Sequence, residues 1–185
     1  MARRTGDLSK GSRETRRECD SLLKIQALIE HDTLLPVFRN KKVPMKAKIS
    51  WAGDAKFVAE SGSGHQVIMD GPADHGGRNQ GPRPMEMLLL GLGGCTTFDV
   101  MSILKKSKQQ VSDCIAEIEA ERADAIPAVF TKIHIHFIVS GQNLKEALVK
   151  RAVDLSAEKY CSASIMLERA GVEITHDYEI RETGA

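Results

Sequence analysis

Apolar and polar positions alternate from Lys46 to Trp51, with Ala47, Ile49 and Trp51 on one face, the two-residue period of a strand. Gly53-Asp54 reads as a hairpin turn and Lys56 to Glu60 as the returning strand. Gly62-Ser63-Gly64 turns the chain again before a third strand, His65 to Met69. Asp70 to Arg83 (DGPADHGGRNQGPR) is a loop rich in Gly and Pro, long enough to be a candidate lid. Alternation returns at Val111 to Arg122, where Cys114, Ala116, Ile118 and Ala120 share one face and Glu117, Glu119 and Glu121 the other. It is cleanest from Phe130 to Val139, with Ile133, Ile135, Phe137 and Val139 inward and Lys132, His134 and His136 outward. Asn143 with Glu146 suits a capping box for an amphipathic helix, whose stripe is Leu144, Ala147, Leu148, Ala152 and Leu155. Tyr160-Cys161-Ser162 interrupts that pattern, a shorter helix runs on to Ala170, and Gly171 stops it. Val172 to Ile180 is a final strand.

The stretch that breaks these periods is Pro84 to Lys106, PMEMLLLGLGGCTTFDVMSILKK. Its leucines cover the whole circumference of a helix, which predicts burial on all sides. Pro84 suits the first helical position, Glu86 the positive helix start, and Lys105 and Lys106 its negative end. A membrane span is excluded on length, because the uncharged run stops at Asp99, short of the roughly 20 residues a span needs. Each glycine inside a helix costs about 1 kcal/mol relative to alanine. Gly91, Gly93 and Gly94 together therefore imply that another backbone packs close beside Cys95. The order βββ–α–ββ–α–α–β predicts an α+β domain with five or six antiparallel strands around that helix. One chain has little with which to cover such a helix, so a homodimer is inferred.

Composition sharpens the domain reading. The chain has 185 residues and a net charge of +1, with no global field pointing to nucleic acid. Residues 1–44 carry 10 Lys+Arg against 6 Asp+Glu, a net of +4, and the remainder 16 against 19, a net of −3. Residues 1–20 read as a disordered arm, Ser21 to Glu30 as a short helix and 31–44 as a linker. Residues 1–44 are thus expected to be a flexible, dispensable N-terminal extension or an over-long gene start, and 45–185 the folded domain. The basic arm lacks Trp and Tyr for base stacking, so a solvated tail is favoured over a nucleic-acid contact. No apolar core of a signal peptide follows the N-terminal arginines, which makes the cytoplasm the expected location.

The four cysteines, Cys19, Cys95, Cys114 and Cys161, show no CxxC and no close pairs, so neither a zinc pattern nor a secreted disulfide framework is present. Cys95 and Cys161 can run a redox cycle if folding brings them together. By spacing alone, small buried core residues are the favoured reading. Cys161 is the better placed for reactivity, at a helix start that lowers a thiol's pKa, whereas Cys95 lies too deep in its helix to gain from the dipole. Cys114 reads as core and Cys19 lies in the arm. His134 and His136 share a strand face as two metal ligands would, but no third ligand is signalled, and a solvated face is favoured. No phosphate loop, nucleophile elbow or Ser-His-Asp pattern occurs, so no cofactor and no metal is expected.

Three segments carry a resemblance: GPRPMEMLLLGLGGCTTFDVMSIL, FTKIHIHFIVSG and AVDLSAEKYCSASIMLERAGVEITHDYEI. From Met45 to Glu182 the chain resembles the OsmC/Ohr superfamily of small thiol-dependent peroxidases, most nearly its YhfA-like branch. The resemblance implies an OsmC-like fold, antiparallel sheets wrapped around a buried central helix in an intertwined homodimer, with two sites at the interface. It implies that Cys95 reduces organic or inorganic hydroperoxides, that Cys161 resolves it, and that a dithiol such as a lipoyl group supplies the electrons. It also implies a Glu near the helix start and a hairpin Arg that hold the reactive thiolate. Here Met85 follows Pro84 and Glu86 comes one position later, and the hairpin from Trp51 to Phe57 has only Lys56. Glu86 and Cys95 are nine residues apart, roughly 13 Å along one helix and about half a turn around it. Glu86 is therefore expected either to act on the partner chain's Cys95 or only to stabilise its own helix start. The rival to a peroxidase is a non-catalytic dimer that binds a small apolar molecule and uses its cysteines for packing. Neither reading involves nucleic acid or a membrane.

Overall fold

The computed structural model describes residues 44–184, so the expectations for the arm before Pro44, Cys19 included, lie outside the described residues. The residues from Met45 onward form one compact unit. Two three-stranded sheets and three helices make an α+β architecture, as the hydrophobic periods predict. The first sheet is the antiparallel meander β1 (Ala47–Trp51), β2 (Phe57–Ser61) and β3 (Gln66–Met69). Gly53 and Asp54, with φ of 92° and 48°, turn β1 into β2, and Trp51 pairs with Phe57 across the hairpin. Paired left-handed residues give the twist that such a hairpin needs. Every residue of β1 is exposed, with Trp51 at 70%. The apolar face predicted for this strand exists but is uncovered within the chain.

The loop after β3 is built around one carboxylate. Asp70, almost fully buried, accepts backbone N–H bonds from Gly71 at 2.8 Å and from Arg78 and Gln80 at 3.0 Å each. These bonds, led by that from Gln80, hold its pKa below the ordinary value. A Cβ on Gly77 would overlap the carbonyl of Gly71, and one on Gly81 that of Ile68, so the loop closes tightly on itself and on β3.

Helix α1 (Pro84–Lys106) follows, then β4 (Gln110–Arg122), β5 (Phe130–Gln142), α2 (Glu146–Leu155), a π turn (Ser156–Tyr160), α3 (Ser162–Arg169) and β6 (Glu173–Glu182). β5 is central in the second sheet, antiparallel to β4 and parallel to β6. The parallel pairing differs from the antiparallel expectation. A parallel neighbour needs a crossover, and α2, the π turn and α3 between β5 and β6 supply it. The inward set of β5 is as expected, with Ile133, Ile135, Phe137 and Val139 buried. The capping box at Asn143 does not form. Asn143 takes a left-handed conformation, φ 50°, and its N–H donates to Glu182, while Lys145 heads α2 and its N–H donates to Gln109.

Contrary to the length argument from the sequence, α1 runs on past Asp99 to 23 residues, and by length and composition alone it could cross a membrane. In the fold it packs against β4, α2 and α3, with Leu92, Val100 and Leu104 buried. Its other face does not meet the expectation of burial on all sides within one chain, for Leu88 is 50% and Leu90 59% exposed. The glycines divide in the same way. A Cβ on Gly93 would lie 3.0 Å from the Ile118 side chain, whereas one on Gly91 or Gly94 would meet nothing within 4 Å. Only Gly93 is explained by a neighbour in the same chain, and that neighbour is a side chain rather than a backbone.

Candidate functional site

The start of α1 is fixed by Arg83, whose N–H donates to Glu86 Oε2 at 2.9 Å and whose guanidinium lies 3.3 Å from Oε1. Glu86 thus closes a capping box and opposes the positive helix end. Its side chain also lines an open groove of about 700 Å³ with Leu89, Leu90, Gly93, Gly94, Ala116 and Ile118. Because α1 is one continuous helix, Glu86 stays roughly 13 Å along its axis from Cys95 of the same chain.

Two turns further on, the chain brings both conspicuous cysteines together. Thr96, next to Cys95, accepts at its carbonyl a 3.2 Å hydrogen bond from the buried Ser156 hydroxyl. Ser156 opens the π turn, and its own carbonyl accepts the Cys161 N–H at 2.9 Å. One serine therefore ties the segment carrying Cys161 to the helix carrying Cys95. The sulfurs of Cys95 and Cys161 and a carboxylate oxygen of Asp99 all lie within 4.8 Å of one another. Both cysteines are free thiols; Cys95 is half-buried and Cys161 fully buried.

Cys161 caps α3 as expected, and its Sγ accepts the Ser164 N–H at 3.4 Å. The expected acidity does not follow. Burial pushes the thiol up to about 12, and the neighbouring Cys95 thiol adds to the shift, against the backbone N–H groups of Ser164 and, more weakly, Ala163. Loss of water outweighs what an eight-residue helix start can give back.

Asp99 is the site residue that motif reading passed over. It is 3% exposed, and burial raises its pKa to about 6. Among the described residues, two buried side-chain oxygens lack a hydrogen-bond partner, Asp99 Oδ2 and Ser164 Oγ, and both belong to this cluster. The signal was available, since Asp99 is the only charge within the apolar run and stands four residues, about one helical turn, after Cys95.

The remaining candidates lie elsewhere. Cys114, on the inner face of β4, is pushed up to about 11 by burial and then by the charge of Asp113. His134 and His136 sit on the outer sheet face beside Asp177, with His134 Nδ1 also 2.8 Å from Thr175 Oγ1. The hydrogen bond to Asp177 raises the His136 pKa. These histidines form a half-buried polar ladder on the outer face of the sheet. Lys56, the hairpin's cation, bonds Gln80 at 2.8 Å, and Arg78 pairs with Asp54 at 3.2 Å, so both are spent on holding the loop.

Residues 76–177 match the family model described as OsmC-like protein. The chain is 51% identical to the protein YhfA of Escherichia coli K12 over 136 residues, 74% of this chain and 98% of that one. A solved structure from Aquifex aeolicus is 26% identical, covers 78% of this chain and all of its own, and superposes with a TM-score of 0.67. An organic hydroperoxide resistance protein OsmC from Legionella pneumophila shares the fold at 16% identity, covering 76% of this chain and 99% of its own, with a TM-score of 0.59. The matched span holds α1, both strands that pack behind it, and the clustered pair Cys95 and Cys161, and by sequence and by architecture the chain belongs to the OsmC-like family.

Proposed function

We propose that the protein is a thiol-dependent hydroperoxide reductase working through a Cys95/Cys161 dithiol cycle. The observation that carries this reading is the approach of two free thiols, far apart in sequence, to within 4.8 Å. The Cys95 thiolate attacks the O–O bond of a hydroperoxide, an alcohol leaves, and Cys95 becomes a sulfenic acid. Cys161 Sγ displaces the sulfenic hydroxyl as water and closes a disulfide. An external dithiol, of which a lipoyl group is the type, then reduces that disulfide and is itself oxidised. Cys95, half-buried, is open to substrate; Cys161, deep and weakly acidic, is suited to resolving rather than attacking. The Legionella pneumophila relative's designation as a hydroperoxide resistance protein supports the same substrate class.

The working unit is a homodimer in the cytoplasm. Its support is the uncovered face of α1, with Leu88, Leu90, Gly91 and Gly94, together with the open apolar side of β1 to β3. Glu86 lines the groove on that face and reaches the partner's Cys95 when two such faces meet. Mixed dimers of Glu86→Gln with Cys95→Ser test this. Sharing across the interface leaves one site with both groups intact, and oxidation as slow as in the Glu86→Gln homodimer overturns it. The whole reading is tested by titrating free thiols before and after one equivalent of organic hydroperoxide. Loss of two thiols per chain, with a Cys95–Cys161 disulfide in the peptide map, is expected. Retention of both thiols favours the second reading, a non-catalytic dimer that holds a small apolar molecule in the groove lined by Leu89, Leu90, Ala116 and Ile118.

A further inference from the structure

A carboxylate taken out of water without a hydrogen-bonding partner for one of its oxygens is costly to the fold, and charged residues are almost never fully buried unless paired. Asp99 is such a group: its Oδ2 has no hydrogen-bond partner among the described residues, and a carboxylate oxygen lies within 4.8 Å of both sulfurs. Those sulfurs face a difficulty of their own. To close a disulfide the Cys161 sulfur must lose a proton, and a thiol pushed up to about 12 is almost wholly protonated at neutral pH. Thiolate is the nucleophile in such exchanges, so closure needs a base at the sulfur.

We propose that Asp99 is a third catalytic residue of the dithiol site, taking the proton from Cys161 Sγ as the disulfide closes and passing it to the hydroxyl that leaves Cys95. The step balances. Cys95 sulfenic acid and the Cys161 thiol become the disulfide and one water, the proton of that water comes from Cys161 by way of Asp99, and Asp99 ends as it began. The S–S bond forms as the S–O bond breaks; Cys95 sulfur is reduced and Cys161 sulfur oxidised. Other titratable groups around Asp99 serve less well. Cys95 on α1 is the electrophile in this step. Tyr160 of the π turn, which feels the Asp99 charge, has its own pKa raised by burial. Arg151 of α2, which acts on Tyr160, is a cation and accepts nothing. On β4 the inner thiol is Cys114, itself pushed up by burial. Asp99, with a pKa of about 6, is mostly ionised at pH 7 and close enough to neutrality to return the proton.

The assignment rests on the dithiol cycle proposed above and concerns only its second step. It is tested in single turnovers with one equivalent of organic hydroperoxide, following Cys95 sulfenic acid with a dimedone trap and disulfide by mass spectrometry. In the wild type, closure slows as pH falls through about 6, because protonated Asp99 no longer accepts. In Asp99→Asn, the ratio of closure rate to sulfenic-acid formation rate falls about 100-fold, the limb near pH 6 disappears, and trapped sulfenic acid accumulates. Asp99→Glu restores part of the rate and a pH limb, which a merely structural role would not do. The pH limb is read on the wild type alone, so the test survives a variant that folds poorly. Closure in Asp99→Asn at the wild-type rate and with the wild-type pH profile overturns the role of Asp99 while leaving the cycle standing. A wild-type Cys95 that never forms sulfenic acid overturns the cycle, and the Asp99 assignment with it.

Discussion

Along α1, Leu92, Val100 and Leu104 are sealed against the second sheet and the two shorter helices, while a few ångströms around the same helix Leu88 and Leu90 keep half or more of their surface. The two faces are equally apolar in sequence, so hydrophobicity does not distinguish them. A neighbour within the chain does. Gly93, in the wall of the groove, is hemmed in by Ile118; Gly91 and Gly94 leave space that nothing in the chain enters. The difference separates what one chain covers by itself from what it leaves open for the proposed dimer.

That division can be broken in order of effect. Gly94→Leu is expected to abolish the proposed dimer without unfolding the chain, since a Cβ there meets nothing of its own protomer within 4 Å. Sedimentation equilibrium should give half the wild-type mass, with an unchanged far-UV spectrum; a dimer of wild-type affinity would refute the placement of the interface. On the sealed face, Leu104→Ala should cost about 2–5 kcal/mol in urea unfolding. Leu88→Ala should by contrast change stability only at concentrations where the dimer forms. Asp99→Asn acts in the opposite direction. The carboxyl's pKa rises from 3.8 to about 6 on folding, so its ionisation opposes folding as pH climbs through that window. The variant should therefore be more stable than the wild type at pH 7.5, by at most about 3 kcal/mol, and the advantage should vanish below about pH 4. Gly93→Ala should be the mildest. The helix gains about 1 kcal/mol of propensity, offset by displacing the flexible end of Ile118, so thermal unfolding should move only a few degrees.

The parts legible in the sequence are those where a local rule and the tertiary environment agree. β5 alternates because one side faces the core, and α1 starts at Pro84 because proline lacks the hydrogen that position cannot use. The parts missed are those where distant residues decide. Asn143 has the right neighbour for a cap, but Glu182 claims its N–H. Cys161 stands at a helix start, but burial by residues far along the chain outweighs the dipole. Asp99 carries no motif; only the fold, which lays the π turn across α1 through Ser156, shows that its carboxylate meets two sulfurs. The parallel direction of β6 was implicit in the two helices before it.

The Asp70 bracket bears on how two chains of the proposed dimer would find each other. A slack connector between β3 and α1 would leave the first sheet free to wander, and ordering it at encounter would carry a large entropic penalty. Three backbone N–H groups gathered on one carboxylate, with Gly77 and Gly81 in tight backbone contact, meet that penalty when the chain folds. The bracket is also acid-labile. Because bonding holds the Asp70 pKa below its usual value, its contribution is complete at neutral pH and is lost only as pH falls through that depressed value. Only acid strong enough to protonate Asp70, below the ordinary carboxylate range, should thus loosen the joint between the first sheet and the rest while β4, β5 and β6 stay paired, and a protomer so loosened would lose its grip on the partner of the proposed dimer before it lost its core.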